Sequence, residues 1–282
     1  MELICKHRCI IGESPVWNEF EKRLYFTNGY GDELCILDVY TNELTVRKLT
    51  KGAAAYAFTK DNRLIVSRHD GVYILNSDDT EENLYDTSKI NIVYGNDMKF
   101  GPDGRLYVGT LSEKKAGISD KISGKLYSID KNGKVRVLLE NIDVSNGLDW
   151  SIDEKYFYHT DSGTKIIKEY SFDKETGSIE FTGRQVKVDG VDGFTVDTDN
   201  NILAACWGYG HVAVVDTVSF EVKSFIDIPA RIPASCGFVG NNMELLAIVT
   251  ASYNADIEKD VNAGFTFIKD INRKGRKPYL FG

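Results

Sequence analysis

Short runs of hydrophobic residues, separated by polar turns, follow one another along the whole chain, and helical periodicity is nowhere evident. Six of these runs are rich in aliphatic and aromatic residues, a composition typical of β-strands. They recur about every 40 to 50 residues, which is the interval expected of a four-stranded propeller blade. The runs occupy residues 23–27, 63–67, 105–109, 156–160, 202–206 and 245–249.

A further strand follows each run and ends in a polar turn, such as 130–133 or 173–177. Turns of this chemistry close hairpins, because Gly and Asn accept positive φ and Asp bonds its own backbone. Six four-stranded antiparallel units predict an all-β fold, a six-bladed β-propeller that forms a single domain over residues 1–282. Residues 1–10 are strand-like without a unit of their own, and we expect them to pair with the last blade. The further strands are 34–38, 72–76, 125–130, 166–172, 211–216 and 265–270.

One polar position repeats at the start of the blades. When the first strand of each blade is aligned on its bulky residue, the residue four positions earlier is an oxygen donor in four blades and alanine in two. Equivalent positions on the innermost strands of a propeller lie at the same level of the central channel, so these residues are expected to form one ring. The bulky residues are Trp17, Phe58, Phe100, Trp150, Val196 and Phe238, and the earlier residues are Glu13, Ala54, Asn96, Asn146, Asp192 and Ala234.

Glu13, Asn96, Asn146 and Asp192 are therefore candidate ligands of one divalent metal ion. Taken singly, Asn or Asp before Gly is more often a turn residue than a ligand. The shared register favours the metal, because carboxylates that face one another repel and a cation removes that conflict. Two carboxylates and two amide oxygens suit Ca²⁺, Mg²⁺ or Mn²⁺, and Zn²⁺ is a less favoured alternative. The two alanines leave an open coordination position, as catalytic metal sites require.

Composition narrows the classes of partner. The chain has 282 residues, of which 42% are hydrophobic, and this is typical of a soluble globular protein. The net charge of −8 and the dispersed Lys and Arg residues argue against a nucleic-acid partner. No apolar run approaches the roughly 18 to 20 residues of a membrane span. We therefore expect a cytoplasmic protein that binds a small-molecule substrate and is a monomer or weak homodimer.

The cysteines predict reduced thiols, because an odd and scattered set does not resemble a disulfide framework. Residues 5–9 read Cys-Lys-His-Arg-Cys, which has the residue types of a metal site. Zinc sites usually need a second pair of ligands, so a strand edge is the favoured interpretation. The four histidines lie at unrelated positions and the chain lacks G-x-S-x-G, which argues against a Ser/His/acid triad. The cysteines are Cys5, Cys9, Cys35, Cys206 and Cys236.

Four segments around the donors and one segment of the last blade form a specific set. The four are 12–17, 96–97 with 101–105, 145–150 and 192–193, and the last-blade segment is 233–238. In this order they resemble the senescence-marker-protein/gluconolactonase/luciferin-regenerating family, and the resemblance extends over nearly the whole chain. It implies a six-bladed propeller in which the same four donors bind one divalent cation. It also implies hydrolysis of a lactone, often one derived from a sugar acid.

Two positions depart from the family's sugar lactonases. Those members place an Arg that contacts substrate hydroxyls two residues before the third-blade Asn, and Tyr94 stands there in this chain. Their acidic substrate contact corresponds to Asp120. The guanidinium group of an Arg would offer several N–H donors to substrate hydroxyls. Because this chain has Tyr94 instead, a hydroxyl-rich lactone is less expected. The predicted substrate contacts are Tyr94, Asn96, Asp120 and Trp207. Two interpretations are equally open for the aromatic residues Tyr94, Trp207 and Tyr209: they form an aromatic wall of the site, or they pack between blades.

Metal-assisted hydrolysis of a cyclic ester is the leading hypothesis. The metal would polarise the lactone carbonyl, and water would be activated on the metal or by a carboxylate. Asp192 is the favoured base, although binding a cation lowers the pKa of a carboxylate, and Asp97 is the second candidate. One alternative is a propeller that binds metal or a small molecule without turnover, and another is a hydrolase of a different bond. The long loops 111–123 and 252–264 are candidate lids or solvated excursions.

Overall fold

The computed structural model describes residues 1–76, 80–86 and 90–281. The strands of these residues form six four-stranded sheets, and the fold is the predicted six-bladed β-propeller. A single turn of 3₁₀ helix, Gly29–Gly31, is the only helical element in the described chain. None of the described residues belongs to a helix that is long and apolar enough to cross a membrane.

The first three blades follow one another along the chain, and in each blade consecutive strands pair. The chain begins with β1 (Glu2–Cys5). Blade 1 comprises β2 (Gly12–Asn18), β3 (Arg23–Asn28), β4 (Glu33–Leu37) and β5 (Leu44–Lys48); blade 2 comprises β6 (Ala55–Phe58), β7 (Leu64–Arg68), β8 (Gly71–Leu75) and β9 (Glu81–Asn83); blade 3 comprises β10 (Gly95–Phe100), β11 (Leu106–Thr110), β12 (Gly124–Ile129) and β13 (Val135–Ile142).

The last three blades repeat this order, except that blade 6 takes its fourth strand from the start of the chain. Blade 4 comprises β14 (Ser145–Trp150), β15 (Tyr156–Asp161), β16 (Ile166–Asp173) and β17 (Ser178–Lys187); blade 5 comprises β18 (Val191–Val196), β19 (Asn201–Cys206), β20 (His211–Asp216) and β21 (Glu221–Asp227); blade 6 comprises β22 (Pro233–Val239), β23 (Leu245–Thr250), β24 (Thr266–Asp270) and β1.

The predicted second strands are confirmed to within one or two residues. β7, β11 and β19 are buried along their whole length. A strand that is covered on both faces reads as a continuous hydrophobic run, and this is why the second strands were the clearest signal in the sequence.

The pairing of the N-terminus with the last blade is confirmed. Glu2 lies opposite Ile268 and Leu3 lies opposite Phe267, so β1 completes blade 6. The strand ends at Cys5, however, and residues 6–9 lie outside any strand. The interpretation of 5–9 as a strand edge is therefore wrong beyond its first residue.

The chain divides into two compact units, each with its own hydrophobic core. Unit 1 comprises Met1–Ala53 and Val186–Pro278 and contains blades 1, 5 and 6. Unit 2 comprises Ala54–Gln185 and Tyr279–Gly282, and the strands of blades 2, 3 and 4 begin there. The core of unit 1 includes Trp17, Phe26, Phe238 and Phe267, and the clusters of unit 2 include Met98, Phe100, Tyr107, Trp150 and Phe157.

Candidate metal centre

Each candidate ligand lies at an irregularity of its first strand. In blade 1 the pairing with β3 shifts between Glu13 and Val16. A β-bulge bends its strand and re-aims a side chain, and bulges are common beside active sites. The four predicted ligands thus share a backbone feature as well as a register. The other bulges lie at Gly95/Met98, Asn146/Leu148, Val191/Phe194 and Pro233/Ser235.

Blade 2 is the exception. Its first strand pairs with β7 without a shift, from Ala55 opposite Ser67 to Phe58 opposite Leu64. This is the blade in which Ala54 occupies the candidate position. Blade 6, which has Ala234, keeps the bulge. The bulge therefore accompanies all four oxygen donors but is not restricted to them.

The second strands carry a second repeated feature, at their last or second-to-last residue, that was not predicted from the sequence. Each of these six residues is a small Thr, Ser or Cys that is at least 96% buried. Thr27 donates a hydrogen bond to the carbonyl of Ala53 (2.7 Å), and Thr250 donates one to the carbonyl of Phe265 (2.7 Å). The recurrence of a small polar residue after each hydrophobic run is the signal that could have found the set, which is Thr27, Ser67, Thr110, Thr160, Cys206 and Thr250.

Within unit 2 the structure brings Asn96 and Asn146 together. The Asn96 Nδ2 atom donates hydrogen bonds to Asn146 Oδ1 (2.8 Å) and to the carbonyl of Ser145 (2.9 Å). The Asn146 Nδ2 atom donates to Ser162 Oγ (2.9 Å). Since the nitrogen atoms of both amides are committed to these acceptors, the amide oxygens are the atoms through which the two residues would bind a metal.

Within unit 1 the two candidate carboxylates lie on blade 5 and blade 1, the two blades beside blade 6. Asp192, on β18, is 6% exposed, and Glu13, on β2, is half-buried. A side chain on Gly193 would clash with the Ser235 side chain, whose Cβ lies 2.6 Å from the position that a Gly193 Cβ would occupy. Glycine here lets β18, the strand that carries Asp192, pack closely against β22.

The charge of Asp192 affects the thiol of Cys206, which lies on β19. Burial raises the pKa of the Cys206 thiol to about 12 against the opposing effect of a hydrogen bond with the Ala213 backbone, and the charges of Asp192 and Asp189 add smaller increases. Cys206 is fully buried, as expected for an inert core thiol. Cys206 is therefore not a candidate nucleophile.

Asp97 lies next to Asn96 and is half-buried. Its Oδ1 atom accepts a hydrogen bond from the backbone N–H of Met98 (2.8 Å). Burial raises the pKa of Asp97 to about 6, against the opposing effects of Lys99 and of that hydrogen bond. Lys99 itself pairs with Asp149 at 2.9 Å. The carboxyl group of Asp97 thus titrates closer to neutrality than an exposed aspartate does.

The predicted substrate contacts in unit 2 differ in their surroundings. Tyr94 has a positive φ of 57°, which is unusual for a bulky residue, and its ring meets that of His69 edge-on at 6.3 Å. Its carbonyl accepts a hydrogen bond from the N–H of Leu111, where the first long loop begins (2.9 Å). Asp120 is exposed on that loop. The substrate roles of Tyr94 and Asp120 stay predictions.

In unit 1, Trp207 is half-buried, and its backbone N–H donates to the carbonyl of Gly190 (2.7 Å). The ring of Tyr209 is 49% exposed and lies 6.0 Å from that of His211. Trp207 and Tyr209 follow β19 and lie against the turn that precedes Asp192. The position is suitable for contacting a ligand near Asp192, and that role also stays a prediction.

The chain resembles known proteins along nearly its whole length. A profile of the family described as "SMP-30/Gluconolactonase/LRE-like region" matches residues 11–252. Regucalcin from Macaca fascicularis is 28% identical over 293 residues, covering 100% of this chain and 98% of that protein. The Bacillus subtilis protein named "Putative sugar lactone lactonase YvrE" is 29% identical over 284 residues, covering 97% of this chain and 96% of that protein.

Solved structures share the fold. Regucalcin from Agrobacterium tumefaciens, a calcium-binding protein, superposes with a TM-score of 0.88 at 23% identity and covers 100% of this chain and 97% of that chain. Luciferin-regenerating enzyme gives a TM-score of 0.86 at 24% identity, with 97% of this chain and 96% of that chain covered. With the profile match over residues 11–252, the chain belongs to the SMP-30/gluconolactonase/LRE-like family, which includes lactonases.

Proposed function

We propose that this protein is a metal-dependent hydrolase of lactones. The observation that carries the proposal is the bulge shared by the four first strands that bear an oxygen donor. Bulges of this kind re-aim side chains, and four oxygen donors re-aimed at equivalent positions form a set of ligands suited to one ion. The ligands are Glu13, Asn96, Asn146 and Asp192, the four oxygen donors of the repeated register.

The donor set fits a hard divalent cation. It offers two carboxylates and two amide oxygens, and Ca²⁺, Mg²⁺ and Mn²⁺ prefer such ligands. The hydrogen bonds of Asn96 leave its Oδ1 as ligand atom, and Asn146 Oδ1 has a second lone pair beyond the one that accepts from Asn96. We propose Ca²⁺ first, with Mg²⁺ or Mn²⁺ next and Zn²⁺ less favoured, since the four donors include neither His nor Cys.

A divalent cation in this position would supply Lewis acidity to a lactone carbonyl and to water. Asp192 then acts as the general base toward the attacking water, and Asp97 is the second candidate for that step. Asn96 and Asn146 would hold the cation through their amide oxygens, because their amide nitrogens donate to other protein groups. Asn96 is also a predicted substrate contact. Tyr94, Asp120 and Trp207 contact the remainder of the substrate.

The substrate class follows from the relatives' names and from Tyr94. The name of the Bacillus subtilis relative specifies a sugar lactone. Tyr94 offers one hydroxyl group and an aromatic face, whereas an Arg would offer a fork of donors. We therefore propose a lactone with fewer hydroxyl groups than a hexonolactone. The chain acts as a monomer or weak homodimer in the cytoplasm on this small molecule.

A pH-stat assay tests the proposal. Purified protein is treated with EDTA, reconstituted with Ca²⁺, Mg²⁺, Mn²⁺ or Zn²⁺, and given a panel of sugar-acid and aliphatic lactones. We expect hydrolysis that is lost in EDTA and restored by one of the hard cations. Metal binding without turnover of any lactone would instead support a non-catalytic binding propeller. Activity that is fully retained in EDTA would contradict metal dependence.

A further inference from the structure

A second group of potential metal ligands lies in unit 1, at the start of the chain. The side chains of His7, Cys9 and Cys35 each offer one ligand atom, and these three atoms lie within 4.8 Å of one another. Cys9 is 1% exposed and Cys35 is fully buried, while His7 is half-buried. The sequence showed only the Cys-Lys-His-Arg-Cys run, and the fold adds Cys35 from 26 residues further along the chain.

The backbone that presents Cys9 is held from two sides. Its N–H donates to the carbonyl of Gly264 (2.9 Å), and its carbonyl accepts from Ser252 Oγ (2.8 Å). Gly264 has a φ of +81°, and a side chain there would clash with the Cys9 carbonyl, so the approach depends on glycine. Cys35 lies on β4, opposite Phe26 of β3. Both sulfur atoms are therefore positioned by ordered backbone.

The His7 ring is oriented by a carboxylate. Its Nε2 atom lies 2.7 Å from Glu33 Oε2, and Glu33 also accepts hydrogen bonds from Asn28 Nδ2 (2.8 Å) and Lys48 Nζ (2.6 Å). Histidines that bind metal commonly donate their other ring N–H to a carboxylate, which fixes the tautomer and the direction of the lone pair. With Nε2 bonded to Glu33, Nδ1 is the nitrogen that remains for a metal.

We propose that His7, Cys9 and Cys35 bind a zinc ion, at a site separate from the oxygen-donor centre. Two thiolates and one imidazole are the ligands that Zn²⁺ prefers, whereas Ca²⁺ and Mg²⁺ select oxygen. Tetrahedral Zn²⁺ with bonds of about 2.0 to 2.3 Å separates its ligand atoms by about 3.5 to 3.8 Å, so small side-chain rotations complete the geometry. Binding releases two thiol protons, and the partly exposed side of His7 leaves a fourth position for water.

The site would link two blades of unit 1. His7 and Cys9 belong to the segment that leads from β1, which pairs in blade 6, to β2, which opens blade 1. Cys35 belongs to the third strand of blade 1. A bound ion joins this connecting segment to β4. Its expected role is to stabilise the closure of blade 6 by the N-terminal strand, a role that does not depend on lactone hydrolysis.

Cobalt absorption tests the proposal directly. Co²⁺ replaces Zn²⁺ in such sites and gives a thiolate charge-transfer band in the near ultraviolet, which an oxygen-only site does not give. The fully reduced protein is titrated with Co²⁺ after refolding in the presence of a phosphine reductant. We expect one equivalent to saturate the band and one equivalent of Zn²⁺ to abolish it. Absence of the band in the wild-type protein at saturating Co²⁺ would overturn the proposal.

Variants identify the residues that bind the cobalt ion responsible for the charge-transfer band. Cys9→Ser and Cys35→Ser are expected to lose it, while Cys236→Ser, the same change at a buried cysteine that donates to the Leu203 carbonyl, keeps it. Glu33→Gln is expected to weaken Zn²⁺ binding about 10- to 100-fold through the orientation of His7. Asp192→Asn keeps the band even if lactonase activity is lost, which separates this site from the proposed function.

Two further outcomes count against the zinc site. A band of unchanged intensity in both Cys9→Ser and Cys35→Ser would place the cobalt elsewhere. A mild oxidant could instead remove two thiols and yield a peptide in which Cys9 is cross-linked to Cys35. If the reduced protein also gave no cobalt band, the two cysteines would be a disulfide pair and not zinc ligands.

Discussion

Asn96 donates a hydrogen bond from Nδ2 to Asn146 Oδ1 at 2.8 Å, and the two residues are fifty positions apart. Lys99 and Asp149, three residues further on in each strand, form an ion pair at 2.9 Å with the same separation. Two matched contacts thus join equivalent positions of β10 and β14. They fix the register of two candidate ligands and bring their amide groups to one place.

Replacing Asn146 by Ala is expected to weaken divalent-metal binding by more than about tenfold. The change removes one amide oxygen and the acceptor that holds Asn96, so the second ligand loses its orientation as well. Isothermal titration with Ca²⁺ or Mn²⁺ measures the effect. Asn132→Ala, in an exposed turn of blade 3, is the matched control and should bind like the wild type. Equal affinity of both variants would count against Asn146 as a ligand.

Replacing Asp192 by Asn is expected to lower kcat for lactone hydrolysis by more than about 100-fold, because a positioned base and a charged ligand are lost together. Metal affinity should fall as well. Asp189→Asn changes an exposed aspartate three residues earlier and should leave both quantities near their wild-type values. A fully active Asp192→Asn protein would remove this residue from the mechanism.

Asp97→Asn distinguishes the two candidate bases. With Asp192 as the base, this variant is expected to retain metal binding and most of its kcat. If kcat instead falls more than about 100-fold while metal affinity is kept, the base is Asp97. The two measurements must be made on the same preparation, so that a change in folding is separated from a change in chemistry.

The stability of the protein is expected to decrease below about pH 6.5 through His159. This residue is 3% exposed and shares a hydrogen bond with Ser145 Oγ (2.7 Å). Burial, helped by the charge of Lys168, lowers the pKa of His159 to about 3. As the pH falls, the unfolded chain therefore binds a proton at this histidine before the folded protein does. Between pH 6.5 and about pH 3 the free energy of unfolding falls by up to about 1.4 kcal/mol per pH unit.

Urea unfolding between pH 7 and pH 5 measures this slope. His159→Gln, which keeps a hydrogen-bonding side chain beside Ser145, is expected to have a shallower dependence of the free energy of unfolding on pH. Asn132→Ala changes an exposed residue that does not titrate and should keep the wild-type slope. Identical slopes for the wild type and His159→Gln would show that His159 does not contribute.

Gly193→Ala is expected to lower the free energy of unfolding by about 1 to 3 kcal/mol, since the added methyl group overlaps the Ser235 side chain. Adding Ser235→Gly creates room for that methyl group and should recover part of the loss. Because Gly193 follows Asp192, metal affinity of the single variant should fall too. Thermal and urea unfolding of the single and double variants check the coupling, and simple additivity would contradict a direct clash.

Much of the fold was predictable because its determinants are local. The second strands of the blades are buried along their length, so each appears in the sequence as an uninterrupted hydrophobic run. The repeat interval then predicted the number of blades, and the unassigned residues at the N-terminus predicted their pairing with blade 6. The candidate ligands could be aligned for the same reason, since each stands four residues before a bulky residue at or next to the end of its first strand.

Contacts between residues far apart in the chain were decided only by the tertiary structure. The bulges at the candidate ligands depend on how each first strand pairs with its neighbour, and a hydrophobic pattern contains no information on one extra unpaired residue. The hydrogen bond of Asn96 to Asn146 likewise depends on the packing of β14 beside β10. The sequence favoured a strand edge over a metal site for residues 5–9. Only the fold places Cys35 beside His7 and Cys9, because proximity across 26 residues is a property of packing and not of local sequence.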